Sequence, residues 1–367
     1  MMSGNIKIDK KKLNALVLGG AILGGGGGGW MEEGWELGLL ALEKGFSEIV
    51  PIQSLPQDSM LLTVSAVRAS TEGKATVGPE DYIRSVELFI ERAGMKIDGL
   101  ISSEIGGMAV VNGWVQSAAL KIPVVDAPAD GRAHPLGVMG SMGFHLLDDF
   151  VSAQTAVGGS RESEHRVEAY YEAPLAEAAR LVRDSAARAG GMVAVARNPA
   201  AACFVRDHGA PGALAMALGI GNTWLRHRKL GPQKAVAKIL DKLGGKFITR
   251  GQVKKVSYRR TGELEIGEAK IKAGQKDLLL TFWNEYLTLE ENGNRIATFP
   301  DLMMTFDAET AMPLISVQVK EGCDILVIVV PSEKLILGAG VQDTEILRQL
   351  EGAIGKGILK HRGKGRS

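Results

Sequence analysis

Two short apolar stretches separated by one helix constrain this chain more than any other feature. Ile97 to Ser102 (IDGLIS) and Ile122 to Asp126 (IPVVD) read as buried strands, short and bounded by turn or helix signals. Gly107 to Leu120 between them reads as helical. Strand, helix and strand with so little between them imply a parallel pair, since antiparallel neighbours need only a turn. The loops leaving their carboxyl ends, 102–107 and 126–135, then gather on one edge of the sheet, where open α/β sheets bind small molecules. Upstream, Gly78-Pro79-Glu80-Asp81 opens a helix that turns Val86, Phe89 and Ile90 inward, with acids in the first turn where the macrodipole favours them. Strands are expected over 47–52 and 61–67.

The expected fold class is therefore α/β: an N-terminal α/β domain with a parallel strand pair, followed by a C-terminal α+β domain with a β-rich layer. A chain of 367 residues exceeds one ordinary core and fits two domains. The polar, glycine-containing stretch 151–162 places the boundary, giving domains over 1–160 and 161–367. In the second, a strand (166–171), a helix (175–189), a strand (192–196) and two helices (213–228, 232–243) precede a change of pattern. From Lys246 short alternating strands follow, with turns at Thr261-Gly262, Glu291-Asn292-Gly293 and Glu321-Gly322, and a helix over 344–354 closes the chain.

Composition excludes some classes. The net charge of +1 gives no electrostatic footprint for nucleic acid or a membrane surface. The basic tail from Lys356 reads as a solvated terminus. Two cysteines, Cys203 and Cys323, make no disulfide framework and suit a reducing compartment. The charged N-terminus lacks a signal-peptide cleavage site, and no stretch approaches the ~20 apolar residues of a membrane span. A cytoplasmic protein acting on a small molecule is expected, as a homo-oligomer, the commoner state for such enzymes.

Chemistry concentrates in the two strand-end loops. Glu104 leaves the first strand, and Asp126, Asp130, Arg132 and His134 leave the second. Strands of one sheet lie ~4.8 Å apart, so these groups can share a crevice. Clustered carboxylates raise one another's pKa, preparing one as acid and another as base. Asp126 and His134 are the candidate ligands for a divalent metal, zinc by preference, that would activate water. Arg132 can orient a carboxylate or carbonyl. Acids in an apolar strand context of the second domain, Glu285 beside Asn284 and Asp301 after Pro300, are candidates for the opposite wall.

The run Gly24–Gly29 admits two readings. It is either a tight crossing that tolerates no side chains or a nest, Gly26, Gly27, Gly28 and Gly29 with Gly106 and Gly107, whose backbone faces a ligand. It follows a helix and lacks a terminal Gly-Lys-Ser/Thr, which argues against a nucleotide loop. His145 and Cys203, the latter ahead of Arg206-Asp207-His208, read as structural groups.

These motifs together resemble the S-methyl-thiohydantoin desulfurase family, long known only as a hydantoinase-associated domain of unknown function. The resemblance rests on Gly24–Gly29, Glu104-Ile105-Gly106-Gly107, Ile122 to Asp126 leading to Gly131-Arg132-Ala133 and Pro135, Gly244-Gly245-Lys246 through Gly251-Gln252-Val253, Asn284-Glu285, Pro300-Asp301-Leu302 and Asp307-Ala308-Glu309-Thr310. Their order spans most of the chain. The resemblance implies a site between two domains and hydrolysis of a five-membered cyclic amide or thiohydantoin. The chain departs from the pattern at Trp30 to Gly34, at His134, and at Ala311, where a glycine is usual. The readings are thus a hydrolase of such a ring, a non-catalytic binding or accessory subunit of a hydantoinase/oxoprolinase-type system, and, least supported, a nucleotide-dependent enzyme.

Overall fold

A computed structural model describes residues 4–69, 77–160, 165–261 and 264–362. The Thr261-Gly262 turn, the end of the 151–162 stretch and the last residues of the basic tail fall outside this range.

The chain begins with β1 (Ile6–Lys7), α1 (Lys10–Gly24) and α2 (Met31–Glu43), the two helices flanking the glycine run. Then come β2 (Glu48–Pro51), β3 (Met60–Arg68), α3 (Pro79–Ala93), β4 (Gly99–Ser102), α4 (Trp114–Leu120), β5 (Val124–Asp126), β6 (Val151–Gly158), β7 (Val167–Pro174), α5 (Leu175–Arg188) and β8 (Met192–Ala201). The strands form one sheet in the order β1-β2-β5-β4-β3-β8-β6-β7. As the sequence predicts, β4 and β5 are parallel neighbours, and β2 and β3 flank them in parallel. The expected 107–120 helix is broken, because Asn112 and Gly113 (φ 89°) separate a 3-10 turn from α4. The sheet also runs past residue 160: β7 and β8 complete its far side, so residues 167–201, expected in the second unit, pair with the first.

Next are α6 (Ala202–His208), α7 (Ala213–His227) and α8 (Pro232–Leu243), and then the β-rich layer: β9 (Lys246–Thr261), β10 (Leu264–Ala273), β11 (Lys276–Trp283), β12 (Glu285–Glu291), β13 (Asn294–Thr298), β14 (Leu302–Asp307), β15 (Pro313–Leu314) and β16 (Asp324–Val330), with α9 (Thr344–Ile354) following. It is an open antiparallel sheet, β13-β12-β11-β10-β9-β16-β14-β15. Asn292 and Gly293 both adopt positive φ, the geometry the Asn-Gly turn anticipates. Ala311 sits at φ 59°, a left-handed position that glycine adopts without strain.

A layer of helices joins the sheets. A Cβ on Gly19 would lie 1.8 Å from the Ala217 carbonyl oxygen, and one on Gly221 1.7 Å from that of Ala15, so α1 and α7 cross with their backbones almost touching. Their apolar faces share one core with Val124 of the first sheet and Leu280 and Val327 of the second. No described helix is long and apolar enough to cross a membrane.

Candidate functional site

The loop after β5 is buried throughout residues 127–135, and its Asp130, Arg132 and His134 are at most 9% exposed. The Arg132 guanidinium docks on the second domain: Nη1 donates to the carbonyls of Pro300 (2.8 Å) and Asp301 (2.7 Å), and Nε to that of Ala133 (3.2 Å). Its plane stacks on Phe299 at 4.5 Å. Nη2 is buried without a partner. Asp130 Oδ1 accepts from the N–H groups of Gly131 (2.8 Å) and Gly338 (2.9 Å), while Oδ2 is unpartnered.

Glu104, from the loop after β4, stands beside them. Its Oε2 accepts from the His134 backbone N–H at 3.3 Å and lies 3.6 Å from His134 Nε2. Across the domain seam, Glu285 opens β12 as a 3% exposed acid with Oε2 unpartnered. Burial dominates the electrostatics. It pushes Glu104 up to about 7 against the pull of the His134 N–H, Arg197 and Arg132, and Asp130 up to about 8. Glu285 is raised well above the carboxylate range, first by burial and then by Glu104. His134 is pushed down to about 4 by burial and then by Arg197, so its ring is neutral.

The glycine run is the seam of this cluster. The Gly28 carbonyl accepts from the N–H groups of Met108 (3.0 Å) and Ala109 (3.1 Å) in the first domain, while those of Gly25 and Gly26 accept from Tyr286 (2.8 Å) and Ser316 (2.9 Å) in the second. A Cβ would strike Tyr286 from Gly26, Glu285 Oε1 from Gly27 (2.0 Å), Gly106 from Gly28, Met108 from Gly29, Gly28 from Gly106 and the Gly29 carbonyl from Gly107. In the Cβ direction all six glycines meet protein, and the run lets backbone lie directly on the carboxyl of Glu285 and the guanidinium of Arg132.

Two expected members lie elsewhere, and a third, Asp301, touches the cluster through its main chain. Asp126 ends β5, and its oxygens accept from Leu214 N (2.8 Å) and Ala215 N (3.2 Å), in the first turn of α7. It borders a separate cavity of about 230 Å³ lined by Pro51, Gln53 and Ile336. Strand adjacency brings main chains together; which partner a strand-end side chain finds depends on the helix beyond it. Asn284 is exposed, at φ 59° in the tight turn joining β11 to β12. Asp301 reaches Arg132 through its carbonyl, and its side chain accepts from Ser332 N at 2.9 Å.

Of the two expected metal ligands, Asp126 is bonded to the first turn of α7 and His134 lies beside Glu104; among the described residues no group of three or more His, Cys, Asp or Glu is placed to hold an ion. His145 lies between Ser141 (3.5 Å) and Asp343 (3.4 Å), Cys203 is exposed, and His208 stacks on Phe204.

Arg197 of β8 was missed. It is 6% exposed and acts on both Glu104 and His134. The available signal was an arginine directly after the apolar run Met192 to Ala196, where the expected strand ends; β8 runs on through Arg197 to Ala201.

Both halves of the chain match family models: residues 11–160 the S-Me-THD-like N-terminal domain and residues 174–339 the S-Me-THD-like C-terminal domain. No curated protein matches. A crystal structure of a protein from Chromobacterium violaceum shares the fold, with a TM-score of 0.69 over 95% of this chain and 96% of that one at 18% identity.

Proposed function

The chain belongs to the S-Me-THD-like family, and from that premise we propose that it is a hydrolase of a five-membered cyclic amide or thiohydantoin, acting at the buried cluster between its domains. Membership points to a thiohydantoin-related function. One observation carries the finer reading: Glu104, with 19% of its side chain exposed, stands among buried polar atoms of Arg132, Asp130 and Glu285 that have no partner.

A carboxyl near 7 is divided between its two forms at neutral pH and can serve as base and then as acid. On an S-methylated ring, Glu104 takes a proton from water as its oxygen bonds to the ring carbon. Charge developing on the ring meets the free Arg132 Nη2 and the protonated carboxyl of Glu285. The C–S bond then breaks, Glu104 returns its proton to the leaving thiolate, and the second water proton ends on the ring nitrogen. The products are the oxo ring and a thiol.

The test is a panel of hydantoins, thiohydantoins and S-methylated thiohydantoins, with thiol release and ring opening measured for wild type and Glu104→Gln. Turnover by wild type and a loss of about 10²-fold or more in the variant is expected. Undiminished turnover by the variant would remove Glu104 from the chemistry. No turnover on any ring, with a hydantoinase subunit co-purifying, would favour the accessory reading.

A further inference from the structure

Two surfaces far from the buried cluster carry charge that the chain leaves unanswered. Beyond Gln252, β9 parts from β16 and pairs with β10 alone, at the margin of the second sheet. Here Lys255 lies directly opposite Lys270 in register, and both are exposed. Like charges placed so across a strand pair oppose it. The acids around them are already taken: Lys272 holds Asp277, Lys356 holds Glu268 and Arg295 holds Glu290, each at 3.0 Å. Among the described residues no acid pairs with Lys255 or Lys270. Half-buried Leu279 of β11 continues their row.

The second surface is α2. It buries Met31, Gly34, Gly38 and Ala41, and its exposed residues are Glu32, Glu36, Leu39 and Glu43. Steps of four, three and four residues set these side chains in one stripe down the helix. Leu39, within the stripe, is 37% exposed. Glu33, off the stripe, is held by Arg68, but among the described residues none of the three stripe acids has an ion-pair partner. The two surfaces match in reach. From Glu36 to Glu43 the helix rises ~10 Å, and three strands spaced ~4.8 Å apart cover about the same distance from Lys255 to Leu279.

We propose that the β9–β10 margin of one copy of this chain docks on α2 of a second copy, with Lys255 and Lys270 meeting Glu36 and Glu43 while Leu279 covers Leu39. Each copy carries both surfaces, so a two-fold pair makes the contact twice. A nucleic acid would answer the lysines but repel the helix, and a cationic partner would do the reverse. A second copy answers both surfaces at once. The pairing stands apart from the ring chemistry proposed above.

The experiment is sedimentation velocity of the full chain at about 0.05 M and about 0.5 M salt, a range over which exposed charges become strongly screened. Wild type is expected to pair at low salt and to pair about tenfold or more weakly at high salt. One variant carries Lys255→Glu with Lys270→Glu, the other Glu36→Lys with Glu43→Lys. Each makes margin and helix alike in sign, so each alone should be monomeric. Mixed in equal amounts they should pair again, because both contacts of the mixed pair then join opposite charges. Circular dichroism checks the fold of each variant; if one does not fold, the wild-type salt dependence and the other variant decide. A wild type that is monomeric at both salts, variants that pair as wild type does, or a mixture that stays monomeric overturns the proposal. Nucleic acid retained by a monomeric wild type and lost from the Lys255→Glu, Lys270→Glu variant would likewise overturn it and assign the lysines to a polyanion.

Discussion

Asp126 and Asp130 leave the same strand on the same loop, and both are buried, yet the fold treats them oppositely. Asp126 has each oxygen bonded to a backbone N–H at the start of α7, and burial raises it to about 6. Asp130 has one oxygen bonded twice and the other not at all, and burial raises it to about 8. The first is a structural acid whose field the helix dipole complements. The second belongs to a set, with Glu104, Glu285, Arg132 and Arg197, whose members answer one another incompletely. A buried acid therefore does not mark a site; a buried acid with an idle oxygen among others of its kind does.

The contrast can be broken by substitution. Arg132→Met removes the cation that stitches the loop to Pro300 and Asp301 and should cost about 3–5 kcal/mol in a urea titration; a cost under about 1 kcal/mol would mean the cluster does not depend on it. Gly28→Ala puts a methyl 2.4 Å from Gly106 Cα at a residue with φ 78°, which should cost about 2–4 kcal/mol. Asp126→Asn should cost only about 1 kcal/mol, the scale of a lost helix cap, and keep turnover within a few-fold; a folded Asp126→Asn without activity would return Asp126 to the chemistry.

Solution pH sharpens the same contrast. Glu104 and Asp130 have folded-state values raised to about 7 and about 8, above an unfolded value near 4. The folded state thus holds protons that the unfolded state releases, and this stability is lost as pH rises through 7 and 8. His134, lowered to about 4, acts the other way, but only below its unfolded value of about 6.5. Between pH 6.5 and 8.5 the unfolding free energy should therefore fall by roughly 1 kcal/mol per pH unit, the melting temperature falling with it, and less steeply in Glu104→Gln. A flat profile there would mean that the cluster carboxyls are already ionised in the folded protein.

Much of the first sheet was legible because its signals are local. Ile97 to Asp126 declared a parallel pair through strand length, branched residues and a single intervening helix, and β4 and β5 are that pair. Pro79 with Glu80 and Asp81 declared α3, and Asn292-Gly293 declared its turn. Glu104, Asp130, Arg132 and His134 could be picked out as polar groups leaving neighbouring strand ends, and Glu285 as an acid in an apolar strand, since burial of such a group needs a reason.

What the sequence by itself determined was therefore the inventory: a parallel strand pair, a β-rich layer, most of their helices, and several of the polar residues that would be enclosed. Tertiary structure decided which of them stand together. Asp126 went to α7, Asn284 went to solvent, and Arg197 arrived from a strand that joins the first sheet from beyond residue 160. It also gave the glycine run its role, since a chain without side chains can be a nest or a crossing until something packs against it. The physical reason is common to all four: periodicity and propensity act over a few residues, whereas the partner of a buried charge is set by whichever distant element completes its hydrogen bonds.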